Sequence, residues 1–211
     1  MKSLRFIIPA LLVSVTVSAQ DLQPVKLNAP DLNRGMTMMK AFEKRASSQD
    51  VAPDKLSVQD ISDLLWAANG INRPEIGKRT APSAMNAQDI DIYVFLQEGV
   101  YLYDAKASEL TPVVAGDHRA LIKGRGFDNA PMFLLLVSDL SRFKFGEESL
   151  RLGWGNMDGG IVSENISLFC AATGMGTRPR AGMPVEELTK LLKLSPDQHL
   201  ILNHPVGYLL K

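Results

Sequence analysis

Three features of this chain predict an α+β fold, a central, mainly antiparallel sheet flanked by helices. Helical periodicity comes in series near the start and near the end of the chain, without regular β-α-β alternation. Between those regions Ile90 to Leu96 and Val100 to Tyr103 alternate apolar and polar residues around Glu98-Gly99, the mark of a hairpin. Pro131 to Ser138 carries Met-Phe-Leu-Leu-Leu-Val, a strand buried on both faces.

Taken in chain order, Lys2 and Arg5 precede the apolar run Phe6 to Val17, and Val17-Ser18-Ala19 offers small residues at a cleavage position. Residues 1–19 are therefore expected to be a secretory signal peptide. Its apolar core is short for a spanning helix, and no Cys follows to carry a lipid anchor. Residues 20–32, rich in Pro, Asn and Asp, are expected as an extended arm, and residues 33–211 as one domain.

Met36 to Lys44 holds helix formers, with Met38, Met39 and Phe42 expected to place one face on a core. Val51-Ala52-Pro53 is extended, because a proline disfavours helix in the residue before it. Ser57 caps a helix that closes at Gly70, with Asp60 in its first turn. A rigid polar loop, Arg79 to Gln88, then leads into the strand at Ile90. Asp158 to Thr173 returns to helical spacing and ends at Gly174-Met175-Gly176. Pro184 opens a last helix through Leu194, and His199 to Leu202 is a short strand running on to Pro205-Val206-Gly207-Tyr208.

Composition narrows the partners. Lys plus Arg and Asp plus Glu number 23 each, so no basic footprint argues for nucleic acid or an acidic membrane surface, and a small molecule is the expected ligand. Cys170 is the single cysteine, which leaves no intramolecular disulfide and no thiolate cage. Together with the leader this fits an exported, periplasmic protein. His118, His199 and His204 are scattered, so no metal site is expected. Gly124, Gly153 and Gly174 each begin a Gly-x-Gly, but the third glycine of a dinucleotide fingerprint is Asn129, Asp158 and Pro179 in turn.

Four polar segments remain, each beside a helix or strand end. Arg45-Ala46-Ser47-Ser48-Gln49 offers a guanidinium and a hydroxyl to a phosphate or ribityl chain. Pro82 to Gln88 offers carboxamides to a heterocycle edge on a backbone held by proline. Asp158-Gly159-Gly160 is expected to open a helix with free backbone amides. Gly174 to Arg180 brings close backbone approach and two guanidiniums. Each segment taken alone is equally an ordinary helix end or connector.

Their order is what resembles a family. Arg45-Ala46-Ser47, Leu64-Leu65-Trp66-Ala67-Ala68-Asn69-Gly70, Arg79-Thr80-Ala81-Pro82-Ser83-Ala84, Glu164-Asn165-Ile166-Ser167-Leu168, Gly174-Met175-Gly176 and Pro205-Val206-Gly207-Tyr208 follow the succession of motifs in the FMN-dependent nitroreductase family, over about residues 33 to 208. The chain looks most similar to short members related to the SagB-type azoline-oxidase branch. Gln49 stands where the family's second arginine would be, and Lys211 is the sole basic residue after the terminal Gly-Tyr.

The resemblance implies a homodimer with FMN in the subunit interface, NAD(P)H as electron donor and a nitroaromatic or quinone as acceptor. It assigns Arg45, Ser47 and Gln49 to phosphate and ribityl contacts, with Arg178 or Arg180 sharing the phosphate. Pro82, Ser83, Ala84 and Asn86 fall to the ring and its edge, and Gly159 and Gly160 to backbone contacts near the hydride-accepting nitrogen. No side chain is an evident acid or base, so the chemistry would be the flavin's. Two other readings stay open: an exported flavin-binding protein without turnover, and a flavin-free ligand-binding or structural module on the same fold.

Overall fold

The computed structural model describes residues 22–123 and 126–210. The expected leader, residues 1–19, lies outside the described residues. The arm is partly ordered by pairing: β1 (Val25–Lys26) joins the sheet edge, and the chain then follows α2, where Asn28 N–H donates to Ser62 Oγ and Asp31 N–H to Asp63.

Helix α1 spans Met38–Lys44 and α2 Val58–Asn69. The Ser57 hydroxyl accepts from Asp60 N–H while the Asp60 carboxylate accepts from Ser57 N–H, a capping box that fixes where α2 begins. Burial alone would push the Asp60 carboxyl up, but the Ser57 and Tyr208 hydroxyls and the Arg34 guanidinium overrule it and hold it at about 2. A two-stranded ribbon, β2 (Ile71–Arg73) with β3 (Lys78–Arg79), leads into the polar loop.

After the loop come β4 (Ile90–Phe95), β5 (Gly99–Asp104), β6 (Glu109–Ala115), the single-turn helix α3 (Arg119–Ile122) and β7 (Met132–Asp139). Helix α4 (Glu148–Thr173), β8 (Met175–Thr177), α5 (Val185–Leu192) and β9 (Gln198–Tyr208) complete the chain. The sheet order is β1-β6-β5-β4-β7-β9-β8, and each neighbouring pair is antiparallel.

The central strand β7 separates two cores. Met132, Leu134 and Leu136 face α2 and α4 with Leu64, Leu65, Val162 and Ile166, while Phe133, Leu135 and Val137 face α5 with Phe127, Leu188 and Leu192. That alternation is why the strand reads as a continuous apolar run.

Three expectations are corrected. Met38, Met39 and Phe42 are exposed, and α1 buries Ala41 alone, because this short helix touches α4 through its small residue. The helix expected from Asp158 begins at Glu148 instead: glycines that argue against a helix are placed where the helix backbone closes on the sheet. A Cβ at Gly155 would overlap Ser138 Oγ, and one at Gly159 would stand 2.7 Å from Ile201 Cγ2. The third is β6, absent from the sequence reading because Pro112 interrupts it; Pro112 pairs with Tyr101 at a register shift, where a strand tolerates a missing N–H.

Candidate functional site

The Pro82–Gln88 loop is held in an unusual backbone. Met85, Asn86 and Gln88 all lie in the left-handed region, with φ of 53°, 55° and 52°. Each costs on the order of 1 kcal/mol, so the surroundings must hold the shape. Gln88 N–H donates to Ser83 Oγ at 2.8 Å, Arg79 Nε donates to Gln88 Oε1 at 2.9 Å, and Gln88 Nε2 donates to the Gly77 carbonyl at 2.9 Å. Arg142 donates to the Gln88 carbonyl at 2.9 Å and pairs with Asp91 at 2.6 Å. The Gln88 carboxamide is thus consumed inside the loop. Pro82, Met85 and Asn86 are exposed, and the Asn86 Nδ2 has no hydrogen-bond partner among the described residues.

The loop is tied to α4 by Asp158, whose carboxylate accepts Ala84 N–H at 2.8 and 3.1 Å. Asp158 in turn lies against Asp89, and burial, aided by Asp158, pushes the Asp89 carboxyl up.

The Arg45–Gln49 segment lies at the far end of α4. Ser48 N–H donates to the Thr177 carbonyl at 2.9 Å, and Arg178 Nη2 donates to Gln49 Oε1 at 3.0 Å. The resemblance assigns Arg45, Ser47 and Gln49 to phosphate and ribityl contacts, with Arg178 or Arg180 sharing the phosphate, and the fold brings the Arg45–Gln49 segment beside Arg178. Arg45, Ser47 and Gln49 are exposed, while Arg178 stands 5.3 Å over the Phe127 ring. Gln49 serves as a neutral partner for Arg178, where a second guanidinium would repel it.

Two assignments are corrected. Arg180 turns inward: Nε donates to Asn203 Oδ1 at 2.8 Å, Nη2 donates to the Ile122 carbonyl at 2.8 Å, and Nη1 donates to the Lys123 carbonyl. Nη2 also donates to Asn203 Oδ1 at 2.6 Å, so four of its five N–H donors are engaged within the chain. Gly159 and Gly160 lie inside α4 rather than at its start, so their amides belong to the helix ladder instead of being free for a ring nitrogen. Gly159 packs on Ile201, whereas the face beside Gly160 is open.

Other reactive groups are structural. His204 is fully buried between Thr177 Oγ1 and Ser163 Oγ, and burial holds its imidazole at about 3, neutral under ordinary conditions. Burial pushes the Cys170 thiol up to about 12. No cluster of metal-ligating side chains occurs among the described residues. A cavity of about 480 Å³ opens near the β4–β5 turn, lined by Leu27, Leu56, Leu110 and Met132 with Lys55 and Glu98 at its rim. It contains none of the candidate cofactor residues.

The whole succession from Phe42 to Tyr208 matches the model of the nitroreductase family, residues 42–208. The chain belongs to the nitroreductase family. A candidate nitroreductase of Ralstonia eutropha JMP134 is 31% identical over 89% of this chain and 90% of its own, with a TM-score of 0.81. The Escherichia coli microcin synthetase McbBCD complex with truncated pro-MccB17 bound shares the fold at 17% identity, with a TM-score of 0.70 over 98% of this chain and 85% of that one. So does NfrA2 of B. megaterium, at 18% identity and a TM-score of 0.61 over 83% of this chain and 68% of its own. No curated protein gives a match.

In this nitroreductase-family chain the two exposed segments stand apart. From Asp158, which holds the Pro82–Gln88 loop, to the Gly174 cap beside Arg45–Gln49, α4 runs about 24 Å at about 1.5 Å per residue. One chain therefore does not present both segments to one small ring. The sequence reasoning missed Asp89: an acid next to a polar loop gives no sign that it is buried against a helix far along the chain.

Proposed function

We propose that this chain is an FMN-dependent oxidoreductase that takes electrons from a reduced donor, NAD(P)H, and passes them to a small-molecule acceptor such as a nitroaromatic or a quinone. The observation that carries this reading is the separation of the two exposed segments along α4, within a nitroreductase-family fold. Along one face α4 exposes Leu150, Met157 and Ile161, with Gly153 and Gly160 open beside them. A second copy packed on that face would let each site draw on two chains. A two-fold contact of this kind makes two equivalent sites.

The residues present fit FMN. Arg45 and Arg178 supply positive charge to a phosphate, and Ser47 and Gln49 supply hydrogen-bonding groups to the phosphate and the ribityl chain. Pro82, Ser83, Ala84 and Asn86 offer a fixed edge to the ring, with the Ala84 amide itself engaged by Asp158. FMN, when bound, supplies the electron-carrying chemistry that no side chain here offers. Export, with cleavage after Ala19, completes the proposal; the intact mass of protein recovered from a periplasmic fraction should begin at Gln20.

The test is the absorbance spectrum of the protein from Gln20 onward, mixed anaerobically with NADH. Flavin bands that bleach are expected. Bands that persist would move the donor away from NADH, and no bands after FMN is added would overturn the flavin reading.

A further inference from the structure

Asp89 is fully buried between the loop and β4. Its Oδ2 accepts from Ser138 Oγ at 2.6 Å, while its Oδ1 has no hydrogen-bond donor among the described residues. The group it meets is another buried carboxyl, Asp158 of α4, which already accepts Ala84 N–H. Two acceptors facing each other away from water cannot both be ionised at little cost unless a cation or a proton lies between them.

Of the cations nearby, Arg142 and Arg79 have their hydrogen bonds elsewhere, and Arg151 keeps a buried Nε without a partner among the described residues. Arg142, on the turn after β7, pairs with Asp91 at 2.6 Å and Asp139 at 3.2 Å. Arg79, on β3, donates to Gln88 Oε1 and to the Asn69 carbonyl. From α4, Arg151 donates to the Leu140 carbonyl at 3.1 Å. The void beneath the loop, about 10 Å³, is lined by Asp158 but not by Asp89, and is at the lower limit for one water.

We infer that Asp89 and Asp158 share one proton, Asp89 Oδ1–H donating to an Asp158 oxygen, and that this proton latches the Pro82–Gln88 loop. The assignment of the proton follows from the partners. Both Asp158 oxygens already accept Ala84 N–H, whereas Asp89 Oδ1 faces no donor, so the proton has its place on Asp89 Oδ1. With the proton in place, the orphan Oδ1 gains a partner and Asp158 stays where it accepts Ala84 N–H. Once it leaves, two buried carboxylates repel across the base of the loop. The Asp89 carboxyl, raised in the folded protein, binds a proton that the unfolded chain has already released; this contribution is therefore lost as pH rises through its folded value, and acid tightens the loop. That the loop so held would grip a flavin ring rests on the function proposed above, but the latch itself does not.

The test uses flavin-free protein, so it stands whether or not FMN binds. Aspartate carboxyls are labelled with ¹³C and titrated by NMR from about pH 3 to about pH 9, and exchange of the Ala84 and Gln88 amides is followed over the same range. One aspartate should remain protonated well above the ordinary carboxylate range. Exchange of the two amides, corrected for its intrinsic pH dependence, should quicken about 10-fold or more as that group ionises. Asp89→Asn, which keeps a neutral donor toward Asp158, should abolish that dependence. Should that variant fail to fold, Asp158→Asn decides: it removes the like charge, and Asp89 should then titrate closer to an ordinary carboxyl. Titration of every aspartate in the ordinary range would overturn the latch, as would pH-dependent exchange surviving in Asp89→Asn or an unmoved Asp89 in Asp158→Asn.

Discussion

Two arginines expected at one phosphate do different work. Arg45 stands exposed beside Ser47, with no side-chain partner among the described residues, while Arg180 has its donors engaged by Asn203 and two backbone carbonyls and lies over the Phe127 and Phe133 rings. Replacing them should separate binding from stability. Arg45→Ala should leave the apoprotein's unfolding within about 0.5 kcal/mol of the parent and weaken FMN about 10-fold or more, the loss of one charge-assisted phosphate contact. Arg180→Ala should instead lower stability by about 2–4 kcal/mol, because it strips the partners from Asn203 and the carbonyls, with little change in FMN affinity for the folded fraction. Denaturant unfolding and flavin titration of both variants check this. Gly-rich spacing and guanidiniums near Gly174 were legible in the sequence; which guanidinium turns inward was not, since that depends on Asn203 from β9 and on carbonyls at the end of α3.

At the scale of elements, α4 shows where local preference yields to packing. Its glycines predict a later start for the helix, yet the helix runs unbroken from Glu148 because two of them permit close contact with β7 and β9. Gly155→Ala would drive a methyl group into Ser138 and should destabilise the fold by about 1–3 kcal/mol. Gly160→Ala meets open space and should stabilise a dilute monomer by about 0.5–1 kcal/mol. Chemical unfolding of the pair at low protein concentration checks this contrast. By comparison β7, the β4–β5 hairpin and the Ser57 cap were legible, because each is specified by neighbours in sequence: an apolar run, a Glu98-Gly99 turn, a hydroxyl three residues before an acid. The seven-residue α1 was legible as a helix but not in its orientation; Ala41 is its buried residue, and Met38 and Met39 face outward.

The whole molecule presents an apolar stripe on α4 and two polar segments tied to points about 24 Å apart along that helix. Ile161 lies on that stripe, 36% exposed, so a charge there is tolerated by one chain and costly between two. Ile161→Glu should leave the fold intact, weaken self-association about 100-fold or more and release FMN together with the partner. Sedimentation with flavin absorbance read in the same cell checks it; a monomeric parent, or a monomeric variant that keeps its flavin, would overturn the two-chain site. The sequence by itself determined the family, the α+β class, the strand buried on both faces and the polar segments from which a cofactor site would be built. Each of these follows from the order and periodicity of residues close together in the chain. Tertiary structure alone decided that Arg180 is structural, that Gly159 and Gly160 lie within a long helix, that α1 shows its apolar side to solvent and that Asp89 meets Asp158. Those outcomes depend on contacts between residues distant in the chain, where burial and the competition for hydrogen-bond partners set each side chain's role.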